Sequence, residues 1–351
     1  MGDRARRLAV VLFNLGGPDG PAGVRPFLFN LFSDPAIIDT PALLRWPLAA
    51  LIAGTRARSA RANYALMGGG SPLLSQTQAQ AAAVTKALSE ILPEVEARAF
   101  IAMRYWAPFA RDTARAVAAF EPDEIVLAPL YPQYSTTTTG SSTGQWKAVY
   151  RGPGRTRAIC CYPTDAGLVE AHAAQIEAAW TKAGQPAGVR LLFSAHGLPE
   201  QVIQRGDPYQ SQIEATTAAI AARLGPSWAD WRVCYQSRVG PMRWLGPTTL
   251  EMIEEAVGDG LGVVIAPVAF VSEHVETLVE LDHDYAGRAA AIGCSTYVRA
   301  PALGLQAAFI NGLAAQIARA LDRAPGVQPG SDFVCEARWG KCPLRNKGAA
   351  G

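Results

Sequence analysis

Four histidines occur in the 351 residues, and two of them stand where chemistry is expected. His196 lies in Ser194-Ala195-His196-Gly197, directly after the apolar run Val189-Arg190-Leu191-Leu192-Phe193. His274 lies in Phe270-Val271-Ser272-Glu273-His274-Val275-Glu276, directly after a second run, Leu261 to Ala269. Each run reads as a buried parallel strand opening into a crevice, which is where open α/β sheets place their chemistry. If a helix starts near Ser272, then Glu273, Glu276, Glu280 and Asp284 fall on one face as an acidic stripe. Val275, Leu278, Val279 and Asp282 fall on another. Carboxylates beside neutral imidazoles bind a divalent metal or accept protons, and a loose set lets the metal move on. The plainer readings are a satisfied turn histidine and a solvated helix face. Two such strand ends in one half of one chain favour the site.

Aromatic residues gather at strand ends too: Tyr105 and Trp106, Tyr131 and Tyr134, Trp244, and Phe270. With a placed polar group such as Arg104, they would wall a flat hydrophobic ligand, although any one of them suits an ordinary core equally well. The hydroxyl-rich run Ser135 to Thr143 suits helix capping better than phosphate binding. No G-x-G-x-x-G follows a strand, and Gly16-Gly17-Pro18-Asp19-Gly20 does not fit one, which disfavours a nicotinamide enzyme.

The elements that must position these groups are eight apolar runs of strand length. They are Leu8–Leu15, Ala97–Met103, Glu124–Leu130, Arg157–Cys161, Val189–Phe193, Trp231–Tyr235, Leu261–Ala269 and Thr296–Arg299. Ala-rich helical stretches such as Thr77–Ile91 and Ala166–Ala183 separate them, so the strands read as parallel and buried on both faces. The halves rhyme: Phe13 to Pro18 corresponds to Phe193 to Pro199, and Ala128 to Gln133 to Ala266 to Val271. The expected fold is therefore α/β, two similar doubly wound (Rossmann-like) domains whose parallel sheets face a central cleft. Residues 1–160 form the first domain, with a lip insertion at 24–70 that the second half lacks. Residues 161–300 form the second, and 301–351 a C-terminal helix returning to the first domain plus a tail.

Apolar residues make up 49% and charged ones 18%, which suits large buried sheets, and a net charge of +2 argues against a nucleic-acid binder. The strand expected at Leu8 leaves no room for a targeting peptide ahead of it. No window approaches the roughly 18 apolar residues of a membrane span. Pro41 to Gly54, interrupted by Arg45 and followed by Arg56 and Arg58, suits the surface of a bilayer. Oligomeric state is not encoded in any of these features.

The sequence is similar to the ferrochelatases, which insert ferrous iron into protoporphyrin IX at the last step of haem synthesis. The matching stretches include Leu15-Gly16-Gly17-Pro18, Gly68-Gly69-Gly70-Ser71-Pro72, Arg104-Tyr105, Tyr131-Pro132-Gln133-Tyr134-Ser135 and Ser194-Ala195-His196-Gly197-Leu198-Pro199. Tyr235 to Pro241, Trp244 to Pro247 and Ser272 to Leu278 continue the match in order. The resemblance implies that His196 and Glu276 are catalytic and meet the metal, with His274 and Glu280 along an acidic path. It implies that Arg56, Arg104, Tyr105, Tyr131 and Trp244 contact porphyrin, to which Phe270 is added as an aromatic strand-end residue. Protoporphyrin IX and ferrous iron are the partners implied, in a cytoplasmic enzyme peripheral to the inner face of the cell membrane. Two rivals stand beside it: a sister chelatase using coproporphyrin III or another metal, and a porphyrin or haem carrier without catalysis. The carrier would not need the His196/Glu276 pair.

Six cysteines are present. Cys234 and Cys294 read as small core residues. Some ferrochelatases carry a [2Fe–2S] cluster tying the tail to the body, and the resemblance implies one here on Cys160, Cys161, Cys335 and Cys342. The animal pattern, with three tail cysteines, is broken in this chain. Adjacent ligands at Cys160 and Cys161 are sterically awkward, which leaves one of that pair open as a bystander.

Overall fold

The computed structural model describes residues 5–240 and 242–345, so Pro241 in the quoted motif lies outside the described residues. The chain divides into two compact units. One comprises Met1–Tyr131, Ser135–Cys160 and Ala314–Gln328, the other Pro132–Tyr134, Cys161–Leu313 and Pro329–Gly351. The strands are β1 (Arg6–Asn14), β2 (Val95–Met103), β3 (Glu124–Pro129), β4 (Arg155–Ile159), β5 (Val189–His196), β6 (Trp231–Gln236), β7 (Gly262–Pro267), β8 (Tyr297–Arg299) and β9 (Gly326–Gln328). The first sheet has the order β2-β1-β3-β4-β9 and the second β6-β5-β7-β8. Every pairing is parallel.

Parallel strands need helical crossovers, which cover both faces and make the strands apolar throughout. Leu8 to Leu12 are accordingly wholly buried. Alternation then splits the second sheet cleanly. Leu191, Phe193 and Ala195 pack with Ile213, Tyr235 and Val264 on one face, while Leu192 packs with Cys234, Val263 and Ile265 on the other. Ser194 and His196 follow Leu192 at steps of two, so they share its face. The two sheets repeat a strand pairing that departs from the internal rhyme by one residue: Phe13 stands opposite Pro129 in β1 and β3, but Ser194 rather than Phe193 stands opposite Pro267 in β5 and β7.

The sequence reading missed β9, which pairs with β4 at Arg157, Ala158 and Ile159. Three residues are too few to show a period, and an existing sheet edge supplies their form. In the first unit, α1 (Val24–Phe32) and α2 (Ala42–Leu66) carry the insertion, and α3 (Leu73–Ile91) leads into β2. Charges buried near strand amino ends are paired: Glu124 with Arg6, Arg155 and Arg157, and Arg190 with Asp230, Glu255 and Asp259. They lie away from the strand ends that carry the expected chemistry.

Candidate active site

In the second sheet β5 lies between β6 and β7, so its carboxyl end is the switch point where a crevice opens. His196 is its last residue. Ser194, two residues earlier, is buried and hydrogen-bonded to Gln236 Oε1 at 2.7 Å and to Thr249 Oγ1 at 2.8 Å. The Tyr209 hydroxyl donates to the His196 carbonyl at 3.0 Å, which fixes the backbone from the other side. Gly197 is required by close approach, since a Cβ there would sit 2.8 Å from the Gln236 carbonyl oxygen and 3.4 Å from the Trp244 ring.

The second element follows β7. Glu276–Tyr285 is a π-helix, a rare winding that recurs at functional sites. A counterpart, Thr136–Gly140, follows β3 in the first unit. Glu276 and Glu280, four residues apart, share one side of this helix. The single acidic stripe expected from an α-helix starting near Ser272 is therefore corrected. Glu273 precedes the helix and is engaged by Arg299 at 2.9 Å and the Ala302 amide at 2.9 Å, while Asp284 is exposed beside His283. Of the face expected to carry Val275, Leu278 and Val279, only Val279 is fully buried, together with Thr277 and Leu281.

Glu276 reaches His196: Nδ1 and Oε2 are 2.7 Å apart. The imidazole is 36% exposed and the carboxylate 18%. His274 Nε2 stands 3.9 Å from the same oxygen. Its Nδ1 is buried without a protein partner among the described residues, and its ring lies 4.5 Å from Phe270, centroid to centroid. Glu280 is held by the Ser237 amide at 2.7 Å and the Tyr285 hydroxyl at 2.9 Å. The Ser237 hydroxyl donates to Glu280 Oε2 at 2.5 Å and lies 3.2 Å from Glu276 Oε2. Ser237 has φ +66°, a left-handed conformation unusual for a side-chain-bearing residue and a form of strain that gathers at functional sites.

These contacts set the proton affinities. Burial disfavours charge on His196, but the attraction and hydrogen bond of Glu276 outweigh it and raise its pKa. Burial also works against the Glu276 carboxylate, yet His196, then His274 and Ser237, hold it down at about 2. Burial and the Glu276 charge push Glu280 up, against the pull of Ser237 and Tyr285. Burial dominates at His274 and lowers its pKa. The surroundings thus favour the proton on His196 against an ionised Glu276, disfavour one on His274, and give Glu280 a raised proton affinity. Among the described residues no three His, Cys, Asp or Glu side chains form a preassembled metal cage.

In the first unit, Arg104 and Tyr105 leave β2 and cross the end of β1, the matching switch point. Their amides donate to Asn14 and Leu15 carbonyls at 2.9 and 3.0 Å. Asp34, just past α1, was not singled out from sequence, where it is one acid in an apolar stretch. Its Oδ2 accepts from Tyr105 Oη at 2.8 Å and Ser141 Oγ at 2.6 Å, and pairs with Arg104 Nη2 at 2.7 Å. Burial, with the Asp34 charge second, pushes the Tyr105 phenol well up, and burial does the same to Tyr131. Arg56 is exposed on α2.

The ferrochelatase family profile matches residues 7–321. The chain belongs to the ferrochelatase family. It is 60% identical over 346 residues to the ferrochelatase of Caulobacter vibrioides (strain NA1000 / CB15N), covering 98% of this chain and 99% of that one. It is 60% identical over 344 residues to that of Phenylobacterium zucineum (strain HLK1), covering 98% and 100%. The ferrochelatase of Pelagibacter ubique (strain HTCC1062) is 45% identical over 343 residues, covering 96% and 98%. Among solved structures, SirB from Bacillus subtilis with Fe3+ superposes with a TM-score of 0.52 at 12% identity, over 90% of this chain and 95% of that one, a likeness of fold alone.

In this ferrochelatase-family chain one buried amide links two of the thiols. The buried amide of Gln212 donates to Cys161 Sγ at 3.5 Å and to Cys335 Sγ at 3.3 Å, and Cys335 is hydrogen-bonded to Cys342. That bond with Cys342, and then burial, push the Cys335 thiol far above its ordinary range. Among the described residues no three of these thiols are set to hold a metal, so the structure shows no preassembled four-thiolate site for an iron–sulfur group. Gln212 was invisible to sequence reasoning because nothing in its helix, Tyr209–Leu224, marks it out. Cys234 is wholly buried in the core, as expected.

Proposed function

We propose that this chain inserts ferrous iron into protoporphyrin IX to give protohaem. Iron insertion into a porphyrin is the activity of the family to which it belongs. The observation that carries the reading is the 2.7 Å His196–Glu276 pair at the switch point of the second sheet, with Glu280 and His274 beside it.

Two pyrrole protons must leave as the metal enters the macrocycle. At rest the site's proton is on His196, stabilised by Glu276. A dication arriving at Glu276 cancels that support, so the proton leaves toward Glu280, the carboxyl group of raised affinity. The neutral imidazole then takes the two pyrrole protons in turn, and Glu280 with Ser237 and Tyr285 hands each proton to solvent before accepting the next. Two carboxyl groups pushed in opposite directions by their surroundings divide the work in this way: Glu276 meets the metal and Glu280 carries protons. His274, neutral and with a free ring nitrogen, is the second metal contact. Arg56, Arg104, Tyr105, Tyr131, Trp244 and Phe270 are the porphyrin contacts in this reading.

A [2Fe–2S] group on Cys161, Cys335 and Cys342, with Cys160 as the fourth thiolate, extends the reading. It would be structural, cross-linking the Pro/Gly-rich tail, since iron insertion moves no electrons through the porphyrin. Association with a membrane is the other extension. No helix among the described residues is long and apolar enough to cross one. On α2, however, Leu43 is 88% exposed, with Leu44, Trp46 and Leu51 also open to solvent, an apolar surface suited to peripheral binding. A cytoplasmic setting at the inner face of the cell membrane completes the proposal.

The test is anaerobic insertion of ferrous iron into protoporphyrin IX, followed by loss of porphyrin fluorescence and by the haem spectrum. Turnover in the intact protein that disappears in both His196→Ala and Glu276→Gln is expected. Undiminished insertion in both variants overturns the assignment.

A further inference from the structure

Arg104 follows the carboxyl end of β2, where it is partly buried and engaged with a carboxylate. Its side chain is 16% exposed and lies 5.0 Å over the Tyr105 ring. Nε donates to Ser141 Oγ at 2.7 Å, and Nη2 meets Asp34 Oδ2 at 2.7 Å. Its Nη1 group has no partner among the described residues, so the fork still has N–H groups to offer. Asp34 is only 2% exposed at its side chain, and its other partners, the Tyr105 and Ser141 hydroxyls and the Ala36 amide, carry no charge. The guanidinium charge is therefore cancelled in place by a carboxylate that solvent does not screen. An arginine meant to attract carboxylates by charge would stand without that counter-ion.

We propose that Asp34 is a specificity-determining residue. By neutralising Arg104 it leaves that wall able to donate hydrogen bonds to a porphyrin edge, but withholds the net positive charge that would favour additional carboxylates. The chain thereby selects a porphyrin with two carboxylates over one with four. This rests on the assignment of Arg104 to the porphyrin site.

The experiment compares kcat/KM for iron insertion into protoporphyrin IX, with two carboxylates, and coproporphyrin III, with four. Full-length wild type, Asp34→Asn, Arg104→Gln and the double variant are measured. Asp34→Asn exposes a lone cation and should raise the four-over-two ratio by about fivefold or more, through KM rather than kcat. Arg104→Gln leaves a lone anion and should lower the ratio. The double variant is neutral again and should return to within about twofold of wild type. A role confined to holding the fold would move both substrates together and show no such recovery. Circular dichroism reports folding. If the unpaired cation unfolds Asp34→Asn, the fall in Arg104→Gln and its recovery in the double variant still decide the matter. An unchanged ratio in Asp34→Asn, or no recovery in the double variant, overturns the proposal. If Arg104→Gln and the double variant leave KM unchanged for both porphyrins, Arg104 is not a porphyrin contact, and the assignment beneath the proposal fails with it.

Discussion

Replacing Glu276 by Gln keeps the shape of the side chain and removes the charge that holds the proton on His196. The carboxyl group sits at about 2 instead of its ordinary 4.5. At about 1.4 kcal/mol per pH unit this is roughly 3 kcal/mol in favour of the ionised form, net of the burial that opposes it. Most of that is attraction to His196, and an attraction acts equally on both partners. The imidazole is a third exposed, so solvent screening reduces its share, and a fall of at least about one pH unit in the His196 midpoint is expected. The sign follows from the pair. Glu276, being depressed, contributes stability that is present above its unfolded pKa and lost as pH falls toward about 2. His196, being raised, contributes stability that is present below its unfolded pKa and lost as pH rises through its folded value. The stability gap between wild type and Glu276→Gln should therefore be widest at about pH 5 to 6 and narrow on both sides. Long-range proton–nitrogen NMR of the imidazoles, titrated in the metal-free protein, reads the midpoint directly. Urea unfolding at several pH values reads the gap. A His196 midpoint that stays put or rises in Glu276→Gln would falsify this account of the pair.

Three further outcomes are expected. His196→Ala should lose iron insertion by about a hundredfold or more while still quenching porphyrin fluorescence on binding, and loss of binding with intact kcat would move His196 to a binding role. His172 is wholly buried, its Nε2 has no protein partner among the described residues, and burial lowers its pKa to about 3 from 6.5. Its stability contribution is present above pH 6.5 and lost as pH falls, by about 2 kcal/mol at pH 5, so His172→Leu should flatten the acid arm of a urea-stability profile, and an equally steep arm would refute the burial argument. Serine at Leu43, Leu44 and Trp46 should cut liposome flotation about tenfold or more, and unchanged flotation would assign that face another use.

The strand runs were legible because a parallel strand buried on both faces must be apolar along its whole length, and eight such runs alternate with helices in the sequence. His196 and Glu276 were legible because Gly and polar residues end those runs where a crevice must open. β9 was not, because a three-residue edge strand has no period of its own and is shaped by its neighbour β4. The acidic stripe was read with the winding of an α-helix. The π-helix that separates Glu273 and Asp284 from Glu276 and Glu280 depends on the packing of Thr277, Val279 and Leu281 and on the Ser237 loop meeting Glu280. Asp34 and Arg104 are 70 positions apart, and Gln212 is 51 from Cys161 and 123 from Cys335. Local pattern records which side chains a segment can bury. Which distant charge or amide meets a given side chain is decided only when the sheets and crossovers close, because a buried polar group takes whatever partner tertiary packing delivers.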